Sequence, residues 1–240
     1  MTDAGASRTT RALAVETSRD LSDSSAKRRS VRSRAAKQWS PPEGLAPEDV
    51  LAVIDAAPSE RDRLLLRVLW ATGARISEAL ALRAMDVRRD SLVLPNLKNP
   101  SRLTKCVFLP AGQADLPGAL LLWTKEQDLA DDQPLFVSRK RAMDGGSRAI
   151  SRQHAWEIVR AASARADVRV LALRSSRYGR VGEPAPVHPH LFRHARVRQI
   201  VRATKSLPIA QKQAGWSRLQ MAYLSVSDAE VREAMRSVEA

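Results

Sequence analysis

Apolar residues along this chain recur at helical spacing over most of its length, and proline and glycine mark the breaks between the periodic stretches. From Leu45 the pattern is helical: Pro47 suits a first helical position, Glu48 and Asp49 suit the positive N-terminal end, and Pro58 stops the segment. Residues 61–70 read as a second, leucine-rich helix broken at Gly73, and residues 74–82 as a third. Two short strands are predicted over 91–94 and 105–109, joined by a polar link that carries Lys98, Pro100 and Arg102. Helices are predicted again over 116–129, 150–165, 189–203, 209–214 and 228–238. Residues 169–186 read as a long loop with some strand, lined by Arg174, Arg177 and Arg180. Trp70, Trp123 and Trp156 fall in apolar helical patterns and are assigned to the core, as is Cys106 in the run Cys106-Val107-Phe108-Leu109. The pattern predicts a mainly α fold with a small antiparallel β-sheet, over residues 45–240.

Residues 1–44 differ. Ser, Thr, Ala and Arg dominate, apolar periodicity is nearly absent, and Lys27-Arg28-Arg29 opens a basic cluster that reaches Lys37. Residues 1–40 hold nine Lys and Arg against four Asp and Glu. This composition predicts a disordered basic arm, ended by Pro41-Pro42-Glu43-Gly44.

Charge narrows the function classes. The whole chain carries 40 Lys and Arg against 26 Asp and Glu, a formal net charge of +14, which implies a polyanionic partner. No stretch approaches the roughly 20 apolar residues of a membrane span, and residues 1–20 lack the apolar region of a secretory signal. Cys106 is the single cysteine, which excludes an internal disulfide and fits a reducing cytoplasm. No Cys/His cluster has zinc spacing. Double-stranded DNA in the cytoplasm is the expected partner.

Six positions then suggest phosphate chemistry. Arg75 follows a glycine turn at a helix start, where backbone N–H groups and the helix dipole favour an anion; equally, it could pair with Glu78 three residues on. His190 and Arg193 stand three apart on a predicted helix entered through His188-Pro189. Trp216, in Gly215-Trp216-Ser217, brings an indole N–H donor. Tyr223 brings a hydroxyl able to attack phosphorus once the phosphate's charge is stabilised, its ordinary pKa being near 10. Lys98, in the turn between the strands, could protonate a leaving oxygen, with Lys105 as its rival. Tyr178, between Arg177 and Gly179, suits backbone contact or stacking on DNA. Lys27, Arg28, Arg29, Arg139, Lys140, Arg141, Arg174, Arg177 and Arg180 are candidate contacts to the DNA backbone, which position without reading sequence.

These residues, in this order, resemble the tyrosine recombinases, the phage-integrase family. Ala71-Thr72-Gly73-Ala74-Arg75-Ile76-Ser77-Glu78-Ala79-Leu80 is similar to its first arginine box and His190-Leu191-Phe192-Arg193-His194 to its second. Gly215-Trp216-Ser217 resembles its Gly-His/Trp element, and Tyr223 falls where its nucleophile belongs. The resemblance covers residues 45–240 and implies an integrase-type catalytic domain. It further implies that Tyr223 forms a 3′-phosphotyrosine, with Arg75 and Arg193 neutralising the phosphate. Lys98 would protonate the leaving 5′-oxygen, while His190 and Trp216 hold the phosphate. Neither ATP nor a metal is implied as cofactor. The expected assembly is a tetramer on two paired DNA sites, for integration, excision or inversion, with an accessory protein as a further partner.

Two features depart from the family's pattern. Tyr223 follows Trp216 by seven residues, where the family has about nine. The usual N-terminal helical domain is replaced by the short basic segment, so the chain resembles the minimal, catalytic-domain-only recombinases. The short spacing motivates a second reading, a catalytically silent DNA-binding accessory protein of the same fold. A topoisomerase-like monomer is disfavoured by the small size and the close match of the first box.

Overall fold

The computed structural model describes residues 45–97, 104–138, 147–171 and 183–215. These lie in one unit, Pro41–Ala240. The expected basic arm and the helix at 228–238 lie outside the described residues.

Seven α-helices, two short 3-10 helices (Ala84–Asp86 and Ala111–Gln113) and four short strands make up the described elements. Helix α1 spans Pro47–Asp55, with Pro47 in its first turn and Glu48 and Asp49 at its positive end, as the sequence predicts. Helix α2, Glu60–Thr72, is capped by Ser59, whose hydroxyl accepts the Asp62 N–H at 3.3 Å. Leu64, Leu65, Leu66, Val68 and Leu69 are all fully buried, so apolar residues wrap most of this helix and neighbours must enclose it. Those neighbours are α1, α4 (Leu116–Glu126) and α6 (Pro189–Thr204). Arg67 reaches out of this packing to Asp115 at 2.8 Å.

Gly73 ends α2 with a left-handed φ of 61°, and its N–H returns to the Leu69 carbonyl. Ala74 and Arg75 stay outside the next helix, Arg75 being extended at φ −71° and ψ 148°. Helix α3 is therefore only Ile76–Leu80, shorter than the predicted 74–82. The stems of Arg196 pack beside Gly73, where a Cβ would lie 3.4 Å from the Arg196 Cγ.

Strands β1 (Ser91–Pro95) and β2 (Thr104–Phe108) form an antiparallel pair in which Leu92 faces Val107 and Leu94 faces Lys105. The buried positions of β2 are Lys105 and Val107, while Thr104, Cys106 and Phe108 are exposed. Cys106 is thus a surface thiol, not core: strand side chains alternate faces, and Val107 takes the inward one. The other core assignments divide. Trp70 is buried, Trp123 is half-buried with its indole N–H on the Leu135 carbonyl at 2.9 Å, and Trp156 is half-buried under the Arg160 guanidinium. Helix α4 stops at Glu126, three residues before its predicted end, and Asp128 turns left-handed at φ 50°.

Helix α5 (Arg152–Arg165) is capped by Ser151 and packs on α1. The segment predicted as loop with some strand forms β3 (Arg169–Leu171) and β4 (Pro184–Pro186), paired antiparallel. A turn at Lys205 joins α6 to α7, Leu207–Ala214, which packs on both α6 and β2. Two small antiparallel sheets therefore sit among the helices, where one was expected. No helix among the described residues is long and apolar enough to cross a membrane.

Gly73→Ala should destabilise the protein by about 1–2 kcal/mol, the cost of a Cβ in the left-handed region. Chemical denaturation of the variant tests this; an unchanged midpoint would show that the turn relaxes freely.

Candidate active site

The turn after α2, the strand β2 and the ends of α6 and α7 converge on one buried carboxylate. Glu78, in the first turn of α3, is wholly inaccessible. Its Oε1 accepts from Arg75 Nη1 at 2.8 Å, and its Oε2 accepts the Arg75 backbone N–H at 3.0 Å. The same Oε2 receives Lys105 Nζ at 2.7 Å. Lys105 also donates to the Ala214 carbonyl at 3.3 Å, at the last residue of α7. Arg193, in α6, is 1% exposed. Its Nη2 donates to that same Ala214 carbonyl at 2.9 Å, and its Nη1 to the Gly73 carbonyl at 2.5 Å. Arg75, Glu78, Lys105 and Arg193 therefore form one connected group, closed through two backbone carbonyls.

Burial by itself would raise the Glu78 pKa, but the adjacent Lys105 ammonium, with hydrogen bonds from Lys105 and Arg75, holds it below the usual carboxylate value. Burial pulls the Lys105 pKa down; Glu78 opposes this, and the positive Arg193 and Arg75 add to it. Arg75 differs from the other three side chains in its access, being 25% exposed. It is the point at which the group meets solvent.

His190 lies one turn before Arg193 on α6 and is exposed, so these two residues share a helix but differ in burial. The His190 ring meets His194 edge-on, with centroids 4.4 Å apart. Burial, reinforced by His190, Arg198, His188 and Arg193, pushes the His194 pKa down to about 3. Burial likewise lowers His188. Among the described residues no group of three or more His, Cys, Asp or Glu is arranged to hold a metal ion.

A sequence model of the Phage integrase family matches residues 43–229. The chain belongs to the phage integrase family of tyrosine recombinases. It is similar to the tyrosine recombinase XerC of Xanthomonas axonopodis pv. citri (strain 306), with 31% identity over 163 residues, 68% of this chain and 45% of that protein. The chain spans about half the length of the curated relatives it matches. Among solved structures, XerA recombinase aligns with a TM-score of 0.62 at 19% identity, covering 84% of this chain and 67% of that one. A lambda integrase tetramer bound to a Holliday junction aligns at 0.54 and 16% identity, covering 81% of this chain and 50% of that one. These structures share the fold.

Within this phage integrase fold, Arg75 and Arg193 come together across 118 positions of sequence, tied by Glu78, Lys105 and two carbonyls. Lys98, Trp216 and Tyr223 lie outside the described residues, as do Tyr178, Lys27, Arg28, Arg29, Arg139, Lys140, Arg141, Arg174, Arg177 and Arg180. Glu78 entered the sequence reading only as a partner for Arg75, and Lys105 only as a rival to Lys98. The available signal was a carboxylate three residues after Arg75, and a lysine alternating with Val107 on one strand face.

Two outcomes follow. Glu78→Ala leaves Lys105 buried without its carboxylate and should destabilise the protein by about 3–5 kcal/mol, read by denaturant titration. For His194, a folded pKa near 3 against an ordinary 6.5 means that its neutral form is the folded form. Its contribution to stability is complete above pH 6.5 and is lost as pH falls toward 3. His194→Gln should flatten the stability-versus-pH curve across that window; an unaltered slope would assign the acid sensitivity elsewhere.

Proposed function

We propose that this chain is a site-specific DNA recombinase that cleaves and rejoins strands through Tyr223. The Tyr223 hydroxyl gives its proton to solvent as its oxygen attacks the scissile phosphorus, the bond to the 5′-oxygen breaks, and Lys98 gives that oxygen its proton. The product is a 3′-phosphotyrosine and a free 5′-hydroxyl. A 5′-hydroxyl from a second duplex then reverses the step, releasing Tyr223 and forming the recombinant strand. The phosphotyrosine ester retains the bond's free energy, so rejoining draws on no separate energy source.

The observation that carries this reading is the charge of the group around Glu78. Arg75, Lys105 and Arg193 gather three positive charges around the Glu78 carboxylate. A phosphodiester holds a single negative charge and gains about one more as it becomes pentavalent, so a preorganised, water-poor cluster of this charge favours the transition state over the ground state. Partly exposed Arg75 supports first contact with the phosphate, and exposed His190 supports a second donor one helical turn from Arg193. Trp216 directly follows Gly215, the residue that caps α7 beside Lys105, which supports its role as a phosphate donor.

Double-stranded DNA is the partner in this reading, and the likeness to a lambda integrase tetramer bound to a Holliday junction supports four protomers on two paired sites. The basic residues at 27–29, 139–141 and 174–180 would contact the DNA backbone. An accessory protein would supplement them, and the work would take place on cytoplasmic, nucleoid DNA.

The test mixes the protein with supercoiled DNA carrying the sequence that flanks its own gene, confirms binding, and quenches with detergent. A covalent protein–DNA band is expected with wild type and not with Tyr223→Phe, and Arg193→Ala should lower its rate of formation at least about 100-fold. Binding without an adduct, even on nicked substrates that trap the intermediate, would replace this reading with the silent DNA-binding protein. The seven-residue interval from Trp216 to Tyr223 would then be its cause.

A further inference from the structure

Lys105 enters the reading above only through its charge, yet it joins elements that nothing else in the group joins. Its stem crosses from β2 to the end of α7, and its ammonium bridges the Glu78 carboxylate and the Ala214 carbonyl. Gly215 makes this passage possible. It caps α7 at φ 67°, and a Cβ there would stand 2.7 Å from the Lys105 Cδ. A second tie holds the same two elements. The Gln213 side chain accepts the Phe108 N–H at 3.3 Å and donates to the Phe108 carbonyl, covering the outer edge of β2. The end of α7 is thus docked on β2 at two points, one at the strand's buried face and one at its edge.

We infer that Lys105 is a positioning residue, a strut that sets the Ala214–Gly215 turn against the carboxylate that orients Arg75. The inference rests on the recombinase reading for its catalytic consequence and on the bridge alone for its structural one. The ammonium's hydrogen bonds to Glu78 and Ala214 point inward, and the side chain is 7% exposed. A proton donor to a strand end needs an open path to that oxygen, whereas a strut needs closed contacts. Removing the ammonium leaves Glu78 held by Arg75 alone and the Ala214 carbonyl held by Arg193 alone, so the two arginines lose their common link.

Two measurements separate the alternatives. The first is a thermal-unfolding cycle of Lys105→Met, Glu78→Gln and the double variant. The strut requires coupling, the double variant melting no lower than the worse single one; additive losses would overturn it. The second follows single-turnover cleavage of a nicked substrate and of one carrying sulfur at the bridging 5′ position, whose thiolate leaves without a proton. Lys105→Met should cleave about 100-fold slower on both substrates with unchanged DNA affinity, and Lys105→Arg should recover part of the rate. Recovery of Lys105→Met on the sulfur substrate would make Lys105 the proton donor and overturn the strut, as would an unchanged rate on the oxygen substrate. Gly215→Ala should reproduce the Lys105→Met defect, since its methyl displaces the lysine stem. If wild type forms no adduct on either substrate, the recombinase reading fails by itself, and the thermal cycle decides the bridge.

Discussion

Glu78 holds a negative charge in the protein interior, and the arrangement of the surrounding cations depends on it. Three basic side chains drawn together out of water would repel one another at distances where a low dielectric makes repulsion expensive. The carboxylate offsets part of that repulsion and gives two of them a fixed direction, Arg75 through one oxygen and Lys105 through the other. Arg193 donates to the backbone carbonyls of Gly73 and Ala214, which tie its guanidinium to the same group. Lowering of the Glu78 pKa despite burial is the consequence: its partners stabilise the ion more than the loss of water destabilises it.

The fold delivers these groups through a helix too apolar to stay at the surface. With α2 enclosed on several sides, its C-terminus emerges inside the protein, and the left-handed turn at Gly73 sends the chain straight into α3. Arg75 and Glu78 are thereby placed at a helix start, and the buried Gly73 carbonyl at the helix end becomes an acceptor for Arg193. Arg196 packs on the other flank of the same glycine and lays its guanidinium 5.3 Å from the Trp70 ring. The helix that carries the second arginine thus grips the turn that carries the first. Local backbone geometry and long-range packing meet at one residue.

Much of this was legible in the sequence. Pro47, Pro58, Gly73 and Pro189 act on their own backbone, so the helices they bound were placed within a few residues. Arg75 and Arg193, which the structure joins in one group, each stand in a short local motif that could be read without the fold. Cys106 was misplaced for a reason specific to strands. An apolar run of four residues fits either face, and a one-residue shift of register exchanges all inward and outward side chains. The same shift hid Lys105, whose burial runs against the usual exposure of lysine and makes sense only once Glu78 stands opposite.

By itself the sequence determined the helical class, the positions of most described helices to within a few residues, and the order of the basic and aromatic residues by which the chain resembles the phage integrase family. All of these rest on interactions within a few positions of the chain, where periodicity, proline, glycine and charge act directly. The tertiary structure alone decided that Glu78 joins Arg75 to Lys105, that Ala214 offers one carbonyl to both Lys105 and Arg193, and that β2 turns its lysine inward. Apart from Arg75 and Glu78, which the sequence already sets three positions apart, these partners are separated by 21 to 109 positions. Their pairing depends on which surfaces the packed helices bring together, and on the energetic demand that a buried charge find its counterpart.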